Sequence, residues 1–90
     1  MEFLIDKNNL LKVLQILAKA VPIRSTLPII NCALFTQANN NLNIRTTDLE
    51  ISININCEIE GNEQGSIAIP MNKLLEITSA MPEGKIKFST

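Results

Sequence analysis

The 90-residue sequence predicts an α+β fold in which two helices lie on one face of an antiparallel sheet. Three observations predict it. Apolar residues recur at helical spacing from Leu10 to Leu17, they alternate at strand spacing from Leu42 to Ile59, and the N-terminal pattern returns 64 positions later. A helical stripe that packs on alternating strands gives two layers around one core.

Composition and charge are those of one small globular domain. Hydrophobic residues make up 46% of the chain and charged residues 19%, which indicates a folded chain. The formal net charge of −1 excludes a globally cationic nucleic-acid binder, but it does not exclude positive charge confined to one face. Because the sequence shows neither a secretory signal nor a membrane-spanning apolar run, we expect a cytoplasmic protein.

The chain should begin with a strand from Glu2 to Ile5 and continue as a helix from Lys7 to about Ala20. Asp6 stands at the N-cap position, where its carboxylate can accept hydrogen bonds from the free amides of the first turn. One apolar stripe of this helix should pack on the sheet. The stripe consists of Leu10, Leu11, Leu14, Leu17, Ala18 and Val21.

The other side of this helix carries a polar stripe formed by Lys12, Gln15 and Lys19. The spacing of i, i+3 and i+7 places the three residues on one helix face. A solvated face without a specific role and a face that binds a ligand are both compatible with this spacing.

Three strands should follow, after a loop that Pro22 and Pro28 delimit. The first runs from Ile29 to Gln37, the second from Leu42 to Thr46, and the third from Leu49 to about Glu60. The short connections between them favour antiparallel neighbours.

The apolar residues change parity between the second and third of these strands. They are even-numbered at Leu42 and Ile44 and odd-numbered from Leu49 to Ile59. A continuous strand would turn its apolar set to solvent after such a change, so the chain must reverse or bulge near Asp48.

The pattern of the first strand and helix returns after Gly65. A strand from Ser66 to Ile69 leads into a helix from Met71 to about Ala80, and Pro70 stands near its first turn, where the missing amide costs nothing. The aligned pairs are Phe3 with Ile67, Ile5 with Ile69, Asn8 with Asn72, Leu10 with Leu74, Leu11 with Leu75, and Val13 with Ile77. This agreement predicts an internal repeat.

We expect one half-repeat at residues 1–60 and a second, partial one at residues 65–90. After its helix the second half-repeat has a turn from Met81 to Gly84 and one strand from Lys85 to Ser89, where the first has three strands. Residues 1–90 should therefore form one domain that is incomplete at its C-terminus, with two strands missing and one sheet edge unpaired.

Residues typical of a metal site or a catalytic base are scarce. The sequence contains no histidine. Cys32 and Cys57 lack the paired spacing of a zinc site, and their positions in strand patterns favour structural thiols over a disulfide. No glycine-rich phosphate loop is present. We expect no catalytic residue, no cofactor and no metal.

Asp48 and Glu50 are the carboxylates nearest to an enzyme-like arrangement, since they lie two positions apart on one face of a strand. At a turn, Asp48 can bond backbone amides, and a structural role is the simpler interpretation. A hydrolase would need a pocket and a perturbed carboxylate pKa in addition.

Three short segments have a characteristic order and spacing: Arg24 to Ile30, Thr47 to Glu50, and Met81 to Gly84. Together they resemble the first domain of the bacterial DNA polymerase III beta subunits, the sliding clamps, and the resemblance covers the whole chain. It implies a DNA-clamp-type domain from a homodimeric ring, with helices lining the hole and sheets on the outer rim.

The resemblance also implies a function. The full protein would be a non-catalytic processivity factor that encircles duplex DNA and slides by non-specific phosphate contacts. It would tether the replicative DNA polymerase, and the polymerase and the clamp loader would dock on domains outside this chain. The alternative is a small stand-alone protein-interaction module that uses an exposed strand edge.

By this resemblance the polar stripe of Lys12, Gln15 and Lys19 would face DNA. Arg24 would correspond to a DNA-contacting arginine in the loop after the first helix, and Lys73 would lie toward the subunit boundary.

The two helices should not contribute equally to DNA binding. The second helix carries Glu76 at the position equivalent to Lys12. A carboxylate there would repel phosphate.

Overall fold

The computed structural model describes residues 1–20, 31–48 and 50–90. Within them the chain forms six strands, two α-helices and a 3₁₀ turn, Ala18–Ala20. In chain order the main elements are β1 (Glu2–Asp6), α1 (Lys7–Leu17), β2 (Cys32–Ala38), β3 (Asn41–Thr47), β4 (Ser52–Glu58), β5 (Gln64–Pro70), α2 (Met71–Ala80) and β6 (Lys85–Ser89). The predicted α+β class is confirmed.

The two helices begin as the sequence predicts. Asp6 caps α1, since one carboxylate oxygen accepts a hydrogen bond from the Asn9 amide at 3.0 Å. The α-helix ends at Leu17 and not at Ala20, because the chain tightens into the 3₁₀ turn, where the Ala18 amide still donates to the Leu14 carbonyl. Helix α2 has the predicted bounds.

The strands form two antiparallel sheets. One has four strands in the order β4-β3-β2-β5, and the other is a ribbon of β1 and β6. Leu4 of β1 connects the ribbon to the end of the hairpin: its amide donates to the Glu60 carbonyl at 2.8 Å, and its carbonyl accepts from the Glu60 amide at 2.9 Å. The pairing of β1 with β6 and of β2 with β5 was not predicted, because it joins segments far apart in sequence.

The parity change between β3 and β4 produces a hairpin, as predicted. Leu42 lies opposite Cys57 and Ile44 lies opposite Ile55, so the even-numbered residues of β3 and the odd-numbered residues of β4 share one face. Thr46 extends this face opposite Ile53.

The loop of the hairpin corrects one predicted boundary. The third strand begins at Ser52 and not at Leu49, because residues 48–51 form the reversal, and Ile51 is 58% exposed. The Asp48 carboxylate accepts hydrogen bonds from the amides of Glu50 at 3.0 Å and Ile51 at 2.7 Å. These bonds, the one from Ile51 first, lower the pKa of Asp48 below its ordinary value of 3.8.

Other strand boundaries also differ from the prediction, and β5 begins at Gln64 and not at Ser66. Strand β4 ends at Glu58, and Glu60 instead bonds to β1. The first strand after the helix begins at Cys32 in the structure, and the predicted positions 29 and 30 lie outside the described residues. Val21, the last predicted member of the apolar stripe, also lies outside them.

One core fills the space between the sheets and the helices. Helix α1 contributes Leu10, Leu14 and Leu17, each no more than 1% exposed, and α2 contributes Met71 and Leu74. The strands contribute Phe3, Ile5, Ala33, Phe35, Leu42, Ile44 and Ile59. A helix that buries three leucines in this way has little freedom to rotate, so its opposite face is fixed toward solvent.

The strand-to-helix junctions are in register with the 64-position shift. Strand β1 ends at Asp6 and β5 ends at Pro70, and the helix begins at the next residue in both cases. Pairing follows the same relation, because Phe3 of β1 lies opposite Phe88 of β6 and Ile67 of β5 lies opposite Phe35 of β2. Strand β6 is thus the counterpart of β2. The division into half-repeats 1–60 and 65–90 stays a prediction.

Candidate nucleic-acid interface

The polar stripe of the first helix is exposed as a unit. Lys12 and Gln15 lie on the outer face of α1, and Lys19 lies in the 3₁₀ turn, with all three side chains exposed. A 3₁₀ turn advances about 120° per residue and an α-helix about 100°, so Lys19 moves by roughly 40° and stays on the side of Lys12. From Lys12 to Lys19 the stripe is about 10 Å long.

A buried hydrogen bond ties the end of this stripe to the sheet. The Thr46 hydroxyl of β3, which is 1% exposed, donates to the Leu17 carbonyl at 3.0 Å. This bond satisfies one of the carbonyls left unpaired where α1 ends. It therefore fixes the position of the turn that carries Lys19. The sequence signal for Thr46 was its even parity on β3, which reasoning from apolar residues alone overlooked.

The lysines of the stripe differ from those of β6 in their partners. In the described residues no carboxylate forms an ion pair with Lys12 or Lys19, and the undescribed positions 21–30 and 49 contain no acidic residue. By contrast, Lys85 pairs with Glu60, and Lys87 pairs with Glu2 at 3.2 Å. The ammonium groups on α1 and its 3₁₀ turn are therefore free to meet an external anion.

Basic and acidic residues are divided between the helices and the rest of the described chain. The helical segments carry four lysines and one glutamate, a net charge of +3, and the remaining described residues carry three basic and eight acidic side chains, a net charge of −5. The helical set is Lys7, Lys12, Lys19, Lys73 and Glu76. The strands themselves carry three basic and three acidic residues, so the excess of acidic residues lies in the connecting loops, and an anionic partner is attracted most strongly to the helical side.

Two features of the helical side depart from a uniformly basic lining. Ile16 lies next to Gln15 and is 43% exposed, which places an apolar side chain within the polar stripe. On α2, Lys73 and Glu76 are both exposed and oppose each other in charge. The positive charge is thus concentrated on α1.

The structure does not test the position of Arg24. This residue falls in the segment 21–30, which lies outside the described residues. The role of Arg24 as a DNA-contacting residue therefore stays a prediction.

The surroundings of Asp48, Cys32 and Cys57 are those of residues with a structural role. The Asp48 carboxylate accepts hydrogen bonds from the amides of its own loop. Cys32 and Cys57 do not form a disulfide and are half-buried, less buried than the sequence pattern suggested. Burial raises the pKa of the Cys57 thiol, which keeps it protonated near neutral pH.

Metal sites and membrane-spanning helices are the two remaining kinds of feature to consider in the described residues. No three acidic or cysteine side chains converge in an arrangement that could hold a metal ion, as far as residues 1–20, 31–48 and 50–90 show. In the same part of the chain, no helix is long and apolar enough to cross a membrane.

Comparison with known proteins gives one consistent family. The profile of the DNA polymerase III beta subunit, N-terminal domain, matches residues 1–90. The chain is 37% identical over 87 residues to the beta sliding clamp of Vibrio harveyi, covering 96% of this chain and 60% of that protein. It is 33% identical over 87 residues to the beta sliding clamp of Vibrio cholerae, covering 96% of this chain and 24% of that protein.

A solved structure shows the same architecture. The chain superimposes on a DNA polymerase III beta subunit structure from Eubacterium rectale with a TM-score of 0.94 and 31% identity, covering 100% of this chain and 24% of that one. The chain therefore spans between a quarter and about three fifths of the length of these relatives. Because the family profile matches it from end to end, the chain belongs to the DNA polymerase III beta subunit family and corresponds to that family's N-terminal domain.

Proposed function

We propose that this chain acts as the first domain of a sliding clamp, a processivity factor that encircles duplex DNA and tethers the replicative polymerase without catalysing a reaction. The observation that carries the proposal is the exposed stripe of lysines without an ion-pair partner in the described residues, on α1 and its 3₁₀ turn, in a chain whose excess of acidic residues lies outside the helices. A small interaction module is not favoured, because the family profile covers the whole chain.

Such a protein must stay on DNA and still be able to slide along it. A closed ring retains DNA by its topology, so its contacts need to be only few, directed at phosphate and independent of base sequence. Lysine meets this demand, because its ammonium is a mobile point charge on a flexible stem. Two lysines about 10 Å apart along the helix axis suit that role better than a dense basic patch.

In this proposal the DNA-contacting residues are Lys12, Gln15, Lys19 and Arg24. Gln15 lies between the two lysines and can donate its side-chain amide to a phosphate oxygen. Lys73, exposed on α2 beside Ile77, is the proposed residue of the subunit boundary.

The partners belong to the larger assembly. The proposal includes a homodimeric ring around double-stranded DNA, with the polymerase and clamp loader docked on domains outside this chain. It also includes a continuation of the domain beyond the partial half-repeat at 65–90, and a cytoplasmic location in the bacterial cell.

The chain alone should bind duplex DNA weakly and with a steep dependence on salt. With Lys12, Lys19 and Arg24 each neutralising one phosphate, the slope of log Kobs against log salt should be about −2.7. Replacing Lys12→Gln and Lys19→Gln together should reduce the slope to about −0.9, measured by fluorescence anisotropy on a labelled duplex from low to physiological salt.

The matched control removes the same charge from the other side of the molecule. The pair Lys85→Gln and Lys87→Gln also eliminates two ammonium groups, but these pair with Glu60 and Glu2. This variant should keep a slope near that of the parent chain. Equal losses in the two double variants would contradict the assignment of DNA to the helical face.

A further inference from the structure

We propose that the outer face of the four-stranded sheet carries a docking site for a partner protein, formed by Arg45 and an apolar pit beside it. The site takes an extended segment in which a large apolar side chain lies two positions from an aspartate or glutamate. This inference concerns the face opposite the helices and does not rest on the proposed DNA role.

This face belongs to the sheet whose four strands, β2 to β5, all lie between Cys32 and Pro70. Strands that continue the proposed second half-repeat would join β6, which is the counterpart of β2 in the other sheet. The outer face of the four-stranded sheet is therefore independent of how the domain continues.

An apolar pit of about 220 Å³ opens on this face. Leu34 of β2 lies in it and is 40% exposed, although its neighbours in the chain, Ala33 and Phe35, are buried. Directly opposite Leu34 are Arg45 on β3 and Ala68 on β5, so the guanidinium and the apolar floor are side by side. The lining residues are Cys32, Leu34, Arg45, Thr46, Thr47 and Ala68.

The guanidinium of Arg45 differs from the other polar groups of this face. Arg45 is exposed, its side chain has neither an ion pair nor a hydrogen bond within the described residues, and positions 21–30 and 49 contain no acidic residue. The nearest carboxylate along the chain, that of Asp48, accepts from the amides of its own loop. Neighbouring polar side chains bond each other across the strands, in the pairs Asn43 with Asn56, Ser52 with Thr47, and Ser66 with Thr36. The five donors of Arg45 are left for an external acceptor.

Charge favours a partner that brings a carboxylate. Among the four outward positions on each of these strands, Arg45 is the one cation, and Glu58, at the far end of the edge strand β4, is the one anion. A guanidinium binds a carboxylate through two parallel hydrogen bonds. A nucleic acid would need several cations along its phosphates, and a second copy of this chain would bring two Arg45 groups together.

The geometry of the sheet sets the spacing within the partner segment. Directly opposed Cβ atoms lie about 5 Å apart, and the arginine side chain extends the reach further. In an extended segment, side chains two positions apart point to the same side and are about 7 Å apart. A leucine in the pit therefore places a carboxylate two positions away over Arg45. The pit is smaller than the roughly 300 Å³ of small-molecule sites, which suits one such side chain better than a cofactor.

Titration of a capped peptide into the isotope-labelled chain, followed by NMR, tests the site. The probe, Gly-Asp-Thr-Leu-Thr-Asp-Gly, has a carboxylate on either side of its leucine, so both directions of binding satisfy the spacing. Amide shift changes should centre on Leu34, Arg45 and Ala68, with a dissociation constant on the order of 1 mM. A peptide with serine in place of the leucine should bind at least tenfold more weakly, because it buries no large apolar side chain.

A double-mutant cycle separates the charge from the apolar contact. Arg45→Gln should weaken the probe about three- to fivefold, and it should not affect a peptide whose two aspartates are replaced by asparagine. Leu34→Ser should weaken both peptides at least about fivefold. Its control, Ile51→Ser, changes a more exposed aliphatic residue in the hairpin loop and should weaken neither. Circular dichroism checks that each variant is folded.

Three results would overturn the proposal: no shift changes at about 10 mM peptide, changes centred elsewhere on the chain, or an equal loss for both peptides on Arg45→Gln. Duplex DNA that shifts the Arg45 amide and displaces the peptide would also overturn it, in favour of a nucleic-acid site. The proposed function is tested separately, because its DNA contacts lie on the helical side.

Discussion

The substitution Leu14→Ala is expected to destabilise this domain by about 3 kcal/mol or more. Leu14 is 0% exposed at the centre of the helical stripe, and truncation leaves a cavity that the surrounding leucines and phenylalanines fill only in part. A domain of this size has a total stability of roughly 5 to 13 kcal/mol, so the change removes a large share. Thermal unfolding followed by circular dichroism should show a melting temperature at least about 10 °C lower.

The control for this variant is Ile16→Ala on the same helix. Ile16 is 43% exposed, so its truncation removes less buried surface and should shift the melting temperature by only a few degrees at most. Similar shifts for the two variants would mean that α1 does not pack on the sheet by the Leu10, Leu14 and Leu17 face.

The second large effect is expected from Thr46→Val. Valine has nearly the shape of threonine but lacks the hydroxyl that donates to the Leu17 carbonyl from a buried position. The carbonyl would lose this partner at the helix end, at a cost of about 1 to 3 kcal/mol. Urea denaturation should show a lower midpoint with an unchanged slope.

Thr36→Val is the matched control, because it makes the same change of side chain without removing a buried hydrogen bond. Thr36 is exposed on the neighbouring strand, and its hydroxyl accepts only from the exposed Ser66 hydroxyl at 3.3 Å. This variant should be within about 0.5 kcal/mol of the parent chain. If Thr46→Val were equally mild, the hydroxyl would not be anchoring the end of α1.

Local chemistry made much of the fold predictable. The cap at Asp6, the reversal at Asp48 and the parity change between β3 and β4 all follow from groups within a few residues of one another, and the structure confirms each. The start of β4 was misplaced because Leu49 and Ile51 continue the alternating pattern into the loop, where backbone bonding to Asp48 decides the conformation.

Contacts between residues far apart in sequence could not be predicted from local sequence patterns. Nothing near β1 in sequence shows that Phe3 lies opposite Phe88, with ring centroids 4.8 Å apart, since that contact depends on the path of the whole chain. The same holds for Gln37, which is 1% exposed and donates to the Glu2 carbonyl at 3.1 Å beneath Gly61. A polar residue on the apolar face of β2 could be recognised, but its partner could not.

The residues of the candidate site could be predicted from the sequence, but the ion pairing of the lysines could not. Helical spacing alone placed Lys12, Gln15 and Lys19 on one exposed face, and the structure has all three exposed. The spacing did not show that β6 lysines would be neutralised by Glu2 and Glu60 while those of α1 stay free, because that division depends on which sheet edge each carboxylate reaches.

The most direct test of the central claim is to map duplex DNA onto the labelled chain by NMR at low salt. We expect amide shift changes on titration to concentrate on α1 and the 3₁₀ turn, around Lys12, Gln15 and Lys19, and to reverse on adding salt. The amides of β4 and β6 should stay unchanged. Shift changes centred on β6 or on the outer faces of the sheets would contradict the claim that the helical side faces DNA.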